Sequence, residues 1–223
     1  MPTPPKRAVL FDLDGTLLDT IEDLAACMNA AVAAAGLATR PVEEHKRMVG
    51  DGVANYVLRA LGEDRRGDTK LIERVTAEYR GLYRQHWADF TRAYDGVEEL
   101  LEALVAKDVV LAVLSNKPDL FTREMVRHFF PGIPFAAVEG AKEGSPLKPD
   151  PAAALAIARQ VALAPEQFAY VGDTNTDMQT ARAAGMLAVG ALWGFRGRTE
   201  LEAAGAQVVI ERPGELMKEV AFP

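Results

Sequence analysis

From Val97 to the C-terminus the sequence switches repeatedly between two periodicities, and that alternation limits the folds open to it. Val97, Leu100, Leu101, Leu104 and Val105 form a helical stripe. The apolar run "VVLAVLS" at 109–115 then reads as a buried strand, and "DLFTREMVRHFF" at 119–130 as an amphipathic helix. Strand-like "FAAVEG", "FAYVGD", "LAVGAL" and "AQVVI" follow in turn. They are separated by helix-like "DPAAALAIARQVAL", "TDMQTARAAG" and "RTELEAAG", and "PGELMKEV" closes the series as a last helix. Parallel strands need a crossover, usually a helix, so this order predicts an α/β fold with a doubly wound parallel sheet.

A further strand lies far upstream, in "AVLFD" at 8–12. Between it and the α/β series the pattern is helical only. Leu24, Ala25, Met28, Ala31, Val32 and Ala35 recur at helical spacing, with Gly36 as the stop. "RPVEEHKRMVG", "ANYVLRALG" and "TKLIERVTAEYRGLYRQHW" read as three more helices. The simplest architecture is an α/β core from residues 1–19 and 93–223, with an all-helical domain, residues 20–92, inserted after the first strand. A chain of 223 residues is long enough for both.

In open α/β sheets, ligands bind beyond the carboxyl ends of the strands, so the polar residues there are the candidates. The first strand runs into "FDLDGTLLD", with Asp12 and Asp14 one residue apart. Strand alternation points both to one face, where like charges repel and one pKa rises. Other strand ends supply Ser115, Asn116 and Lys117, then Asp173 and Asp177 in "GDTNTD"; Lys148 precedes a helix. Carboxylates from two strands suit a hard cation such as Mg²⁺, which prefers oxygen ligands and keeps waters for a substrate. The serine and lysines suit an anion, helped by N–H groups where the next helix begins near Pro118. Metal plus anion points to phosphate. Singly, each feature has a structural reading: a turn, a helix cap, a surface lysine. Their conjunction at one sheet edge favours chemistry. There is no Walker spacing and no serine or cysteine triad, so the nucleophile is water or a carboxylate.

The net charge of −7 argues against nucleic-acid binding, which needs a basic footprint. No apolar run approaches the roughly 20 residues that span a bilayer. The start, "MPTPPKRAVLF", lacks a long apolar region, and its prolines suggest a short frayed tail. One cysteine, Cys27, excludes an internal disulfide and reads as buried. His45, His86 and His128 show no metal spacing and read as packed or solvated. A soluble cytoplasmic protein, monomer or homodimer, is the default expectation, and the metal-plus-anion pattern points to a small phosphorylated metabolite as its partner.

The motifs "DLDGTLLD" at 12–19, Ser115 in "VLSNKP", Lys148 in "LKPDP" and "VGDTNTD" at 171–177 resemble those of the haloacid dehalogenase-like hydrolase superfamily. That resemblance covers nearly the whole chain. It implies a sheet order of 3-2-1-4-5 and a helical cap placed between the first and second motifs. It implies that Asp12 attacks phosphorus and that Asp14, with a raised pKa, moves protons. Mg²⁺ would be held by Asp12, the Asp14 carbonyl and Asp173, with Asp177 just behind. Ser115 and Lys148 would bind the phosphoryl group, and Thr16 would position the loop. Dehalogenases and phosphonate hydrolases of the superfamily lack the second aspartate, so Asp14 favours phosphomonoester hydrolysis.

Narrower features resemble the phosphoglycolate phosphatase group: "LLDT", "VGDGV", "SNKP" and "GALWGFR". They imply that Gly50, Asp51 and Gly52 face the substrate, with Asn116 and Lys117 beside it. Asp51 there would repel a carboxylate unless it points away. Arg196, Arg198 and Lys117 are candidate carboxylate contacts, and Trp87 and Trp193 candidate flanking residues. The alternatives on the same scaffold are a sugar-phosphate mutase, which returns the phosphoryl group to the sugar, and a pyrophosphatase or nucleotidase. A non-catalytic binding protein is disfavoured because no catalytic residue is missing.

Overall fold

The structure is a computed structural model and describes residues 5–223; the expected tail at residues 1–4 lies outside them. The chain starts with β1 (Ala8–Phe11) and β2 (Leu18–Asp19). Four helices follow: α1 (Ile21–Ala34), α2 (Val42–Lys46), α3 (Val53–Leu61) and α4 (Thr69–His86). The chain then passes through β3 (Arg92–Ala93), α5 (Val97–Val105), β4 (Val110–Pro118), α6 (Asp119–Phe129) and β5 (Phe135–Ala141). It ends with α7 (Ala152–Gln160), β6 (Phe168–Gly172), α8 (Asn175–Ala184), β7 (Leu187–Ala191), α9 (Arg198–Ala203), β8 (Val208–Ile210) and α10 (Leu216–Glu219).

Two compact units emerge, one of residues 19–92 and one of the remainder. The larger holds a six-stranded sheet in the order β5-β4-β1-β6-β7-β8, with every neighbouring pair parallel. Counting only these strands along the chain gives 3-2-1-4-5-6, the implied order with one more strand. β1 sits between β4 and β6, where Leu10 pairs with both Ala112 and Tyr170. Its four residues are all buried, which is why the strand reads as an unbroken apolar run and not an alternation. One face of the sheet packs Leu10, Leu114, Phe168 and Tyr170 against Ile157, Met178 and Leu201 from the helices.

The strand expected to stop at Ser115 runs on to Pro118. Its pairing with β5 shifts register between Leu114 and Pro118, so Ser115, Asn116 and Lys117 all lie on strand backbone. Pro118 caps α6, which starts only at Asp119. The Lys117 N–H donates to Ser115 Oγ at 3.2 Å. The helix start expected near Pro118 is therefore where α6 begins, and strand backbone leads directly into it.

The helical unit has its own core. Leu24, Met28 and Val32 of α1, Tyr56 and Val57 of α3, and Val75, Tyr79 and Tyr83 of α4 are buried. His45 is packed there: Nδ1 lies 2.7 Å from the Tyr56 hydroxyl and Nε2 3.2 Å from Asn29 Oδ1. Asp23 is buried but satisfied, accepting bonds from the Phe90 and Thr91 N–H groups and the Thr91 hydroxyl. Cys27 is a buried thiol in no disulfide. Among the described residues no helix is long and apolar enough to cross a membrane.

Candidate functional site

β1 ends at Phe11, so Asp12 and Asp14 leave the strand before alternation can aim them together. Asp12 is buried, and Lys148 Nζ donates to its Oδ1 at 2.6 Å. Asp14 is more exposed and is held by a different ammonium, that of Lys117, at 2.8 and 3.0 Å from its two oxygens. The two neighbouring acids thus serve two separate cations.

The turn that follows depends on Gly15. Its φ is +90°, and a Cβ there would stand 2.3 Å from Asp173 Oδ2. Thr16 does not point to open space: its hydroxyl donates to Asp173 Oδ1 at 2.9 Å. The other Asp173 oxygen accepts from the Phe195 N–H at 2.7 Å. Gly194 allows this approach, since a Cβ on it would meet the Gly15 carbonyl and Asp173 Cβ at 2.3 Å each. Trp193 Nε1 donates to the Thr16 carbonyl at 2.9 Å. The loop after β7 therefore clamps the first motif and Asp173 together, a role the sequence reading did not assign to it.

Asp177 shows how one residue satisfies both readings of "GDTNTD". It sits at the third position of α8, and its Oδ2 accepts from the Thr174 hydroxyl and N–H at 2.6 and 3.0 Å. That is a helix cap with an acid in the first turn. Its Oδ1 accepts from Lys148 Nζ at 2.6 Å, so the cap also aims a carboxylate into the site.

Lys148 is buried, and Asn116 locks its backbone: Oδ1 accepts from the Lys148 N–H at 2.8 Å while Nδ2 donates to the Lys148 carbonyl at 3.1 Å. Asn116, expected beside the substrate, has its amide engaged in positioning Lys148. Ser115 is buried next to it in sequence.

Asp12, Asp173 and Asp177 offer three buried oxygens within 4.8 Å of one another. Burial pushes Asp12 up to about 7; Lys148 opposes this, and repulsion from Asp177 and Asp14 adds to it. Burial, then repulsion from Asp12 and Asp177, likewise lifts Asp173 well above the usual carboxylate range, against the bonds from Phe195 and Thr16. The raised value foreseen for the first motif thus falls on Asp12. Burial opposes the charge on Lys148, yet Asp12 and Asp177 hold its pKa well above the ordinary lysine value. Three carboxylates against one ammonium leave excess negative charge in a dry place. An all-oxygen donor set with that excess fits a divalent hard cation.

Gly50, Asp51 and Gly52 belong to the helical unit, with φ of +120° at Gly50 and +94° at Gly52. Asp51 is paired by Arg59, whose Nη1 lies 2.6 Å from its Oδ1, so its charge is matched locally. Arg196 bonds Glu200 at 3.1 Å, and Arg198 bonds Glu202 at 3.4 Å. These two arginines make their ion pairs on and around α9. Trp193 spends its N–H on the backbone instead of on a ligand, and Trp87 ends α4. His86 pairs with Asp89, and His128 packs edge-on to Phe129.

A parallel α/β sheet whose strand ends gather an acidic triad, a buried lysine and a serine defines a class of hydrolase. The family profile described as haloacid dehalogenase-like hydrolase matches residues 9–191, and the chain belongs to that family. Among its relatives is a phosphoglycolate phosphatase of Pseudomonas putida, 33% identical over 220 residues, covering 97% of this chain and 80% of the relative. The phosphoglycolate phosphatase of Neisseria meningitidis is 34% identical over 197 residues, covering 87% of this chain and 84% of its own. A crystal structure from Lactobacillus delbrueckii subsp. bulgaricus superposes with a TM-score of 0.91 at 30% identity, covering 99% of this chain and 100% of that one.

Proposed function

We propose that this chain is a Mg²⁺-dependent phosphatase that hydrolyses a small phosphomonoester, 2-phosphoglycolate foremost, in the cytoplasm. The observation that carries this is the division of labour between Asp12 and Asp14. Asp12 is buried among the acidic triad and Lys148, while Asp14 stands apart on Lys117. This separation supports reading Asp12 as the nucleophile and Asp14 as the group that moves a proton. The names of the relatives favour the substrate.

In the first step an Asp12 oxygen forms a bond to phosphorus, the bond to the leaving oxygen breaks, and Asp14 gives that oxygen its proton. In the second, a water oxygen bonds to the phosphorus of the aspartyl-phosphate and Asp14 takes the water's proton. The Asp12–phosphorus bond then breaks and inorganic phosphate leaves. Lys148 and Ser115 bind the phosphoryl oxygens. Asp12, Asp173 and the Asp14 carbonyl, supported by Asp177, would hold Mg²⁺, which would supply the positive charge that lets an anionic carboxylate approach an anionic phosphate. The helical unit is read as the cap that selects the substrate, its Gly50–Gly52 loop included.

Phosphate release from a panel of 2-phosphoglycolate, pyrophosphate, nucleoside monophosphates and hexose phosphates, with Mg²⁺ at neutral pH, tests this reading. A clear preference for 2-phosphoglycolate is expected. Isomerised hexose phosphate without release would make the enzyme a mutase, and preference for pyrophosphate or a nucleotide would replace the substrate. Gly15→Ala is expected to lower kcat by at least about 10²-fold, because its Cβ displaces Asp173 and with it the first motif. Unchanged kinetics in that variant would show that the clamp around Asp173 is not needed.

A further inference from the structure

Lys117 stands two residues beyond Ser115 on β4, with its side chain only 4% exposed and its ammonium on both oxygens of Asp14. We propose that Lys117 positions Asp14 and, with the same ammonium, selects phosphate esters whose leaving group carries a carboxylate; this rests on the phosphatase reading above. To protonate the leaving oxygen, Asp14 must touch it. A cation bonded to Asp14 therefore borders the leaving group and not the transferred phosphoryl group. In 2-phosphoglycolate the carboxylate is one methylene away from that oxygen, within reach of the same cation. An ammonium has three donors with freely rotating directions, so it can hold Asp14 and a second carboxylate at once.

The charges at this edge support the assignment. Lys148 is committed to Asp12 and Asp177. Arg196 and Arg198 are paired with Glu200 and Glu202. A substrate carboxylate arriving beside Asp14 would stand against a like charge, which the Lys117 ammonium offsets. Buried as it is, the Lys117 charge is weakly screened, and it acts strongly on an anion that comes into contact.

The test compares kcat and KM for 2-phosphoglycolate and ethyl phosphate, which differ in whether a carboxylate or a methyl group ends the leaving group. Wild-type enzyme, Lys117→Met and Lys117→Arg are measured with Mg²⁺. The wild type is expected to prefer 2-phosphoglycolate, and Lys117→Met to reduce that preference by about tenfold or more. Lys117→Arg, which keeps the charge, is expected to recover much of it. A purely structural role would lower both substrates alike and leave their ratio unmoved. An active wild type with no preference, or a Lys117→Met variant that keeps the preference, overturns the Lys117 assignment alone. If the methionine variant fails to fold, Lys117→Gln, which removes the charge and keeps a polar side chain, is expected to show the same loss of preference, and a kept preference there overturns the assignment. A wild type that releases phosphate from neither ester overturns the phosphatase reading and this inference with it.

Discussion

Asp12→Asn is expected to lower phosphate release by at least about 10⁴-fold, the scale of loss when a covalent nucleophile is removed. An amide oxygen does not displace an alkoxide from phosphorus, and no neighbour is placed to substitute. Asp173 is held at both oxygens, by Thr16 and Phe195, and Asp177 is held by Thr174 and Lys148. The fold should survive. Asparagine keeps the volume, and Lys148 retains its bonds to Asp177 at 2.6 Å and to the Leu114 carbonyl at 3.1 Å. Burial already disfavours the charge on Asp12, so neutralising it relieves repulsion in the acidic triad. The expected pair of results is a lost rate with a circular-dichroism melt at or above that of the wild type. Acid-quenched wild-type enzyme should carry phosphate on Asp12, and the variant none. A variant with a rate within tenfold of wild type would remove Asp12 from the covalent step.

Much of this site could be read from sequence because each strand end announces itself. An apolar run stopping at a carboxylate, as at Phe11–Asp12 or Val171–Asp173, marks both the end of a buried strand and the side where ligands bind. Sheet order is less visible, since periodicity identifies strands but not neighbours; there the motif resemblance supplied what the pattern did not. The unread parts are contacts between segments far apart in the chain. Trp193, Gly194 and Phe195 clamp Thr16 and Asp173 only because β7 lies beside β6 and β6 beside β1. The glycine of "WGF" is a faint signal, and the close approach it allows shows only in three dimensions. Lys117 looked like a loop residue because β4 was expected to end at Ser115. A register shift carries the strand onward and turns that side chain to Asp14. Asp51 looked like a threat to an anionic substrate because its partner, Arg59, is eight residues on along α3. The pairing of Asn116 with Lys148 is likewise long-range: an amide reading a backbone 32 residues away leaves no local pattern.

Mg²⁺ is expected to raise the Tm of the metal-free chain, and to raise it more at pH 8 than at pH 5. Folding lifts Asp12 from its ordinary value of 3.8 to about 7, through burial first, and lifts Asp173 in the same direction. A carboxylate whose pKa is higher folded than unfolded binds more protons in the folded state. Its favourable contribution is complete below the unfolded value and is lost as pH rises through the folded one. The metal-free chain should therefore lose stability between about pH 4 and pH 7 on account of this group. A divalent cation binds the ionised carboxylates and offsets their repulsion, so it restores stability where the protons have left. At 100 times its Kd the cation contributes about 2.7 kcal/mol, or roughly 5–10 °C in a chain of this size. At pH 5 protons compete for the same oxygens and the gain should shrink to a fraction of that. Asp173→Asn, which removes one of the three oxygens, should abolish most of the shift at pH 8 without any assay of turnover. Equal shifts at both pH values would place the cation elsewhere, and no shift at pH 8 would mean that the acidic triad is neutralised by protons and Lys148 alone.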